Sequence, residues 1–427
     1  MGNCMYELKE KIAAGHLDSV LRELYVSEEL LLSQRARYLD ALNQFEDLYG
    51  NKEVEVYSSA GRSEIGGNHT DHQNGKVLAA SINLDAIAVV SKTEDYKVYL
   101  KSEGYEMLAI DLKQLDIVEE EKETTSALIR GVANGMKIRG YHIGGFEAYV
   151  SSSVLTGSGL SSSAAFEVLI GNILSGLYNQ GALNSIEIAQ IGQEAENKYF
   201  GKPCGLMDQM ACSVGGMIYI DFADEKMPQV KKVDVEFSRF GHNLCIVDTK
   251  GSHADLTYEY AAIPEEMKKV AAYFGRELLC DVDETQFFGN LMKVREFAGD
   301  RAVLRSMHWF MENKRVEEQA EALEAGEFDR FKALIKASGD SSFKYLQNVY
   351  SNQNVNEQNM SLALAMSEHV LNGRGVSRVH GGGFAGTIQA FVPGELVGEY
   401  KACMESVFGP GSCHVLQIRK DGGRKVI

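Results

Sequence analysis

Proline is scarce. Five prolines among 427 residues provide no rigid spacer and no proline-rich linker, so no domain boundary is sharply marked. The seven cysteines, Cys4, Cys204, Cys212, Cys245, Cys280, Cys403 and Cys413, form no CxxC pair. Neither a zinc ribbon nor a disulfide framework is expected, and reduced thiols in a cytoplasmic setting fit best. Basic charge is in deficit: 43 Lys and Arg face 60 Asp and Glu, for a formal net charge of −17. That argues against nucleic acid or an anionic membrane surface as the main partner. Long apolar runs are missing too. The longest uncharged stretch, Val168 to Ile186, contains Asn172, Asn179, Gln180 and Asn184, so no membrane span is expected. The first residues carry no apolar signal core.

What is present is an ordinary globular composition, 44% hydrophobic and 24% charged, with length enough for two or three domains. Residues 5 to about 50 read as helix: Leu8, Ile12, Leu21, Leu24, Leu30, Leu31, Tyr38 and Leu42 recur at three- and four-residue steps among charges. From Val54 onward short strand patterns (Val54–Tyr57, Ala86–Ser91, Lys97–Leu100) mix with helical ones (Thr124–Gly140, Ala164–Tyr178). The second half repeats the mixture. It has strand patterns at Leu244–Asp248 and Gly386–Val392 and a wholly helical stretch from Asp300 to Ser338. Irregular alternation of this kind predicts an α+β body.

Four segments carry chemistry. Gly157-Ser158-Gly159-Leu160-Ser161-Ser162-Ser163 follows a strand pattern and opens a helix. Small residues admit a ligand close to the backbone, and a helix N-terminus presents free N–H groups and positive dipole to a phosphate. A simple N-cap is the plainer reading, but a cap needs one Ser, not three. The segment is not a P-loop: Gly75-Lys76 and Gly201-Lys202 are followed by Val77 and Pro203. A second segment, His380 to Gly386, spells GxGxxG but leads into a strand pattern. It reads as a tight glycine turn against a ligand or another loop, not as a dinucleotide site. The third, Gly61 to His72, is dense in donors and acceptors and suits a polyhydroxylated ligand, or a plain solvated loop. The fourth, Cys204 to Met210, sets Asp208 among apolar residues, where a carboxylate is costly unless paired or working. Glu196 stands beside a helical stripe upstream.

Taken in order, these segments resemble the GHMP small-molecule kinases and, within them, the galactokinase family. The family motif GRxNLIGEHTDY is matched from Gly61 to His72. GLSSSAA is whole at Gly159–Ala165, CGxMDQ at Cys204–Gln209 and GGGFxG at Gly381–Gly386. The resemblance runs from about residue 40 to the C-terminus. It implies a two-domain α+β fold with the active site between the domains. The arm before residue 40 lies outside the resemblance, and the texture of the sequence divides the chain into a helical arm (1–53), an N-terminal domain (54–230) and a C-terminal domain (231–427). The resemblance also implies ATP and Mg2+ as cofactors and a free sugar, D-galactose, phosphorylated at its anomeric hydroxyl. Residue by residue, Asp208 matches the base and Arg62 the cation beside it. Gly157, Ser158, Gly159, Leu160, Ser161, Ser162 and Ser163 match the nucleotide loop, and Ser163 and Glu196 the magnesium ligands. Asn68, His69, Thr70, Asp71, Gly205 and Tyr260 match the sugar site. Several positions depart from the pattern: Asn68 replaces the motif's Glu, Glu64 its Asn, and His380 a Thr before the late glycines. Because Asn68 carries no charge where the family meets the sugar's exocyclic hydroxyl, other galactose-like acceptors (N-acetylgalactosamine, arabinose) are alternatives, as is a non-catalytic sugar sensor.

Overall fold

The computed structural model describes residues 3–154, 159–224, 227–251, 256–353, 355–384 and 386–427. The strands of the first half are β1 (Asn3–Cys4), β2 (Glu53–Gly66), β3 (Lys76–Lys92), β4 (Lys97–Ser102), β5 (Met107–Asp111), β6 (Phe146–Ser152), β7 (Met217–Asp221) and β8 (Gln229–Lys232). Those of the second half are β9 (His242–Asp248), β10 (Val376–His380), β11 (Thr387–Pro393), β12 (Cys413–Leu416) and β13 (Arg424–Lys425). One sheet has the order β1-β2-β3-β6-β4-β5, with β13 paired to β2, and β7 then β8 extending from β3; the other has the order β10-β11-β9-β12.

The first sheet is built on β2 and β3, which are buried along almost their whole length because both faces are covered. Side chains alternate across a strand. Val54, Val56, Ile87, Val89 and Tyr149 pack on the N-terminal arm. Their neighbours Tyr57, Ala88, Val90, Ala148 and Val150 enter the main core with the helices Thr125–Ile138 and Ser162–Asn179. The second sheet is covered on one face by the helices Asn359–Leu371 and Val397–Phe408. On its other face Leu244, Ile246 and Phe391 meet Phe331, Ile335 and Val316 from two helices that lie between the sheets.

Three expectations change. The arm is not one helix: among the described residues it forms Met5–Ala13, Asp18–Tyr25 and Leu31–Tyr49. Gly15 (φ +79) and Val26 (φ +51) turn left-handed between them, which a right-handed helix does not tolerate. The stretch Asp300 to Ser338 likewise divides at Gly326 (φ +73) into Asp300–Glu324 and Phe328–Ser341. Finally, β13 returns to the first sheet, so the last residues cross the 231–427 division. Arm and tail meet at buried Asp85 on β3. Its carboxylate accepts from Tyr25 Oη (2.8 Å), Arg37 Nη1 (2.7 Å), Ser58 Oγ (2.5 Å) and Arg419 Nη1 (3.2 Å). Among the described residues no helix is long and apolar enough to cross a membrane.

Candidate functional site

The pairing of β2 with β3 slips between Ala60 and Arg62 and again between Glu64 and Gly66. Such bulges re-aim side chains, and here they send Arg62 across to the helix Met207–Val214. Arg62 Nε and Nη2 donate to Asp208 Oδ1 and Oδ2 at 2.7 and 2.8 Å, a bidentate pair. Arg62 Nη1 also donates to the carbonyl of Gly159, and Ser161 Oγ donates to Asp208. Burial pushes the Asp208 carboxyl up. The Arg62 charge and hydrogen bonds, with Ser161, outweigh it and hold the group below its ordinary value. Asp208 also lies in the first turn of its helix, where the dipole favours an anion. The result is an ionised carboxylate, partly open to solvent.

Of the nucleotide loop, Gly157 and Ser158 lie outside the described residues. Gly159 (φ +70) and Ser161 (φ +57) are both left-handed, and a non-glycine residue there is strained. Ser161 occupies the N-cap position of Ser162–Asn179 without capping it; its hydroxyl goes to Asp208 instead. That leaves the helix N–H groups directed at the site. Leu160 is wholly buried and its carbonyl accepts from Arg62 N at 3.2 Å, fixing the loop to β2. Ser163 Oγ donates to Glu196 Oε1 at 3.2 Å, so the two expected metal ligands do converge. This is a hard oxygen pair. Magnesium typically takes one or two protein oxygens and completes its shell with phosphate and water, so these residues fit it.

The sugar segment divides. Asp71 stands against Gly205, where a Cβ would come within 2.5 Å of Asp71 Oδ2, so a side chain at position 205 would push the Asp71 carboxylate aside. Tyr260 donates to the Gly383 carbonyl at 2.6 Å and lies edge-on to Phe384. His69, left-handed at φ +60, donates from Nε2 to the Gly382 carbonyl at 2.9 Å, while its Nδ1 is buried with no partner. Burial, followed by the neighbouring His72, lowers the His69 imidazole to about 3, so it is neutral. Two expected sugar contacts point elsewhere. Thr70 is wholly buried and donates to the carbonyls of Gly67 and Lys76, locking its own turn. Asn68 is wholly buried as well. Its Nδ2 donates to the Gly381 carbonyl (2.7 Å) and Glu64 Oε1 (3.2 Å), and its Oδ1 accepts from Ser342 Oγ (3.2 Å) and Asn348 Nδ2 (2.8 Å). Every hydrogen-bonding atom of that amide joins the two halves of the chain, and none is free for a ligand.

Several residues at the site were quoted above without a role. Glu64 pairs with wholly buried Arg378 at 2.5 Å. His380 bridges Ser63 Oγ (3.1 Å) and Thr387 Oγ1 (2.9 Å) directly behind Arg62 and Gly159. Gln209 Nε2 joins Glu196 Oε2 (2.9 Å) to Glu167 Oε2 (3.0 Å), steadying the metal ligand. Glu167 lies one helical turn after Ser163, and that spacing was the available signal for it.

Comparison with known proteins identifies the family. Residues 127–216 match the family model described as the GHMP kinases N terminal domain, and residues 43–92 match the galactokinase galactose-binding signature. The chain is 30% identical over 402 residues to a galactokinase of Lactococcus lactis subsp. lactis, covering 91% of this chain and 97% of that protein. It is 30% identical over 363 residues to a galactokinase of Glaesserella parasuis, covering 83% and 89%. Among solved structures, Lactococcus lactis galactokinase complexed with galactose superposes with a TM-score of 0.76 at 26% identity, over 91% of this chain and 100% of that one. The mevalonate kinase of Methanococcus jannaschii, at 16% identity and a TM-score of 0.61 over 87% and 99%, shares the fold. The chain belongs to the galactokinase family of GHMP kinases.

Proposed function

We propose that this protein transfers the γ-phosphoryl group of ATP to the anomeric hydroxyl of D-galactose, giving galactose 1-phosphate and ADP. The observation that carries the reading is the bidentate Arg62–Asp208 pair set beside an uncapped helix N-terminus. Phosphoryl transfer asks for positioning and charge stabilisation more than for covalent chemistry. In this reading Asp208, kept ionised by Arg62, orients the sugar hydroxyl and accepts its proton. Arg62 faces the charge that develops on the transferring group. The loop from Gly159 to Ser163 directs N–H groups at the phosphates. Ser163 and Glu196 would hold Mg2+, which when bound neutralises phosphate charge. Asp71, His69, Gly205 and Tyr260 form the sugar side of the cleft; Asn68 and Thr70 serve as its frame.

Asp208→Asn tests the reading. The expected outcome is intact nucleotide binding with turnover lower by about two to four orders of magnitude; turnover close to that of the parent protein would remove Asp208 from its role. Withdrawal of Asn68 into the interior favours tolerance at the sugar's exocyclic carbon. Catalytic efficiency should therefore fall little from galactose to 6-deoxygalactose and steeply to glucose. A protein that phosphorylates arabinose or N-acetylgalactosamine but not galactose would keep the sugar-kinase chemistry and change the acceptor.

A further inference from the structure

Lys202 is an exposed residue beside Glu196 and has no part in the roles assigned above. The helix Ser185–Ala195 runs into a π-type turn, Glu196–Phe200, closed by left-handed Gly201 (φ +88). Turns of this kind inside helices gather at functional sites. Gly201 and Lys202 both donate their backbone N–H to the Glu196 carbonyl, at 2.9 and 3.2 Å. The chain is thereby folded back, and the Lys202 ammonium comes to lie 3.5 Å from Glu196 Oε1. The carboxylate is buried, whereas the lysine side chain is 64% exposed. The ammonium thus lies on the solvent side of the group formed by Ser163, Glu196 and Asp208. After burial and the Arg62 and Ser161 contacts, the Lys202 charge is the next influence on the Asp208 carboxyl.

Charge balance gives this position a use. The Arg62 charge is already shared with the Asp208 carboxylate, and Arg62 also donates to the Gly159 carbonyl. A bound triphosphate brings several negative charges into a site that already holds the carboxylates of Asp208 and Glu196. We propose that Lys202 is a phosphate-binding residue: its ammonium leaves Glu196 and bonds a γ-phosphate oxygen of ATP in the nucleotide complex. Only rotation about its exposed stem is required, and a lysine is suited to this as a mobile point charge on four rotatable carbons. The inference rests on the ATP-dependent reading given above.

The test is calorimetric binding of ATP and of ADP, each with magnesium and without sugar, to the parent protein and to Lys202→Met and Lys202→Arg. A charge-assisted hydrogen bond lost from the γ-phosphate should weaken ATP binding of Lys202→Met by about tenfold or more. ADP, lacking that phosphate, should be affected little, and Lys202→Arg should restore most of the difference. A merely structural role, in which Lys202 only steadies Glu196, would weaken both nucleotides alike. Equal losses for ATP and ADP, or no loss for either, overturn the assignment. A parent protein that binds neither nucleotide removes the kinase reading and this assignment with it. Because Lys202 is exposed, neither variant should disturb folding.

Discussion

Glu64 and Asn68 exchange the residue types of the family motif, which has Asn at the first position and Glu at the second. In the fold they touch: Asn68 Nδ2 lies 3.2 Å from Glu64 Oε1, and Arg378 pairs with the same carboxylate. All three are buried. Beside Asn68 there is thus one carboxylate, Glu64, and it pairs with one guanidinium, Arg378. Asn68→Glu alone would add a second carboxylate beside the first. At ~4 Å and an effective dielectric of ~20, two like charges repel by about 4 kcal/mol, and the new carboxylate would also face the Gly381 carbonyl, which can only accept. Glu64→Asn alone would leave Arg378 as a buried cation without its anion, costing about 3–5 kcal/mol. Combining the two returns the count to one carboxylate and one cation, so the double variant should be more stable than either single one by several kcal/mol. Denaturant unfolding measures this directly. Trp309 is the chain's one tryptophan and donates from its ring nitrogen to the Thr70 carbonyl at 3.1 Å, so its fluorescence reports on this seam. A stable Asn68→Glu variant, or a double variant no better than the singles, would refute the reasoning.

Two further outcomes follow from other buried groups. Burial, with the charge of Arg62 and Arg378, holds His380 well below its ordinary value, and His69 is held near 3, so the folded state keeps both neutral while the unfolded chain protonates them near 6.5. The unfolded state then binds more protons below pH 6.5. Stability is fully present above that pH and should fall by about 4 kcal/mol for the two together by pH 5; a urea midpoint constant between pH 7 and 5 would contradict it. At the arm, Asp85→Ala would leave Arg37 and Arg419 without their anion, and stability should drop by about 3–5 kcal/mol. Limited proteolysis should then cut the arm first, and a loss under about 1 kcal/mol, with no new cleavage there, would separate arm and body energetically.

Residues whose role depends on local chain geometry were legible in the sequence, and residues whose role depends on a partner far along the chain were not. Ser161, Ser162 and Ser163 between glycines and a helix pattern announce a phosphate-facing N-terminus, and the structure has that helix starting at Ser162 without a side-chain cap. Asp208 among apolar neighbours announces a partner, though nothing near it in sequence says that the partner is Arg62, 146 positions earlier. The arm's helical periodicity was plain. Its breaks at Gly15 and Val26 were not, because the turn at Val26 is a left-handed residue that no side-chain preference signals. Asn68 shows the limit most clearly. Read by position in the motif it belongs to the sugar. Its actual partners, Gly381, Ser342 and Asn348, lie hundreds of residues downstream and draw it inward. The exchange with Glu64 supplies the physical reason. A buried Arg378 needs one carboxylate nearby, and here Glu64 provides it. With the charge at position 64, the seam between the halves keeps its ion pair. Under the proposed function, recognition of the sugar would then fall to Asp71, His69 and Tyr260, and charge at the phosphates would be set by Arg62 with the proposed help of Lys202.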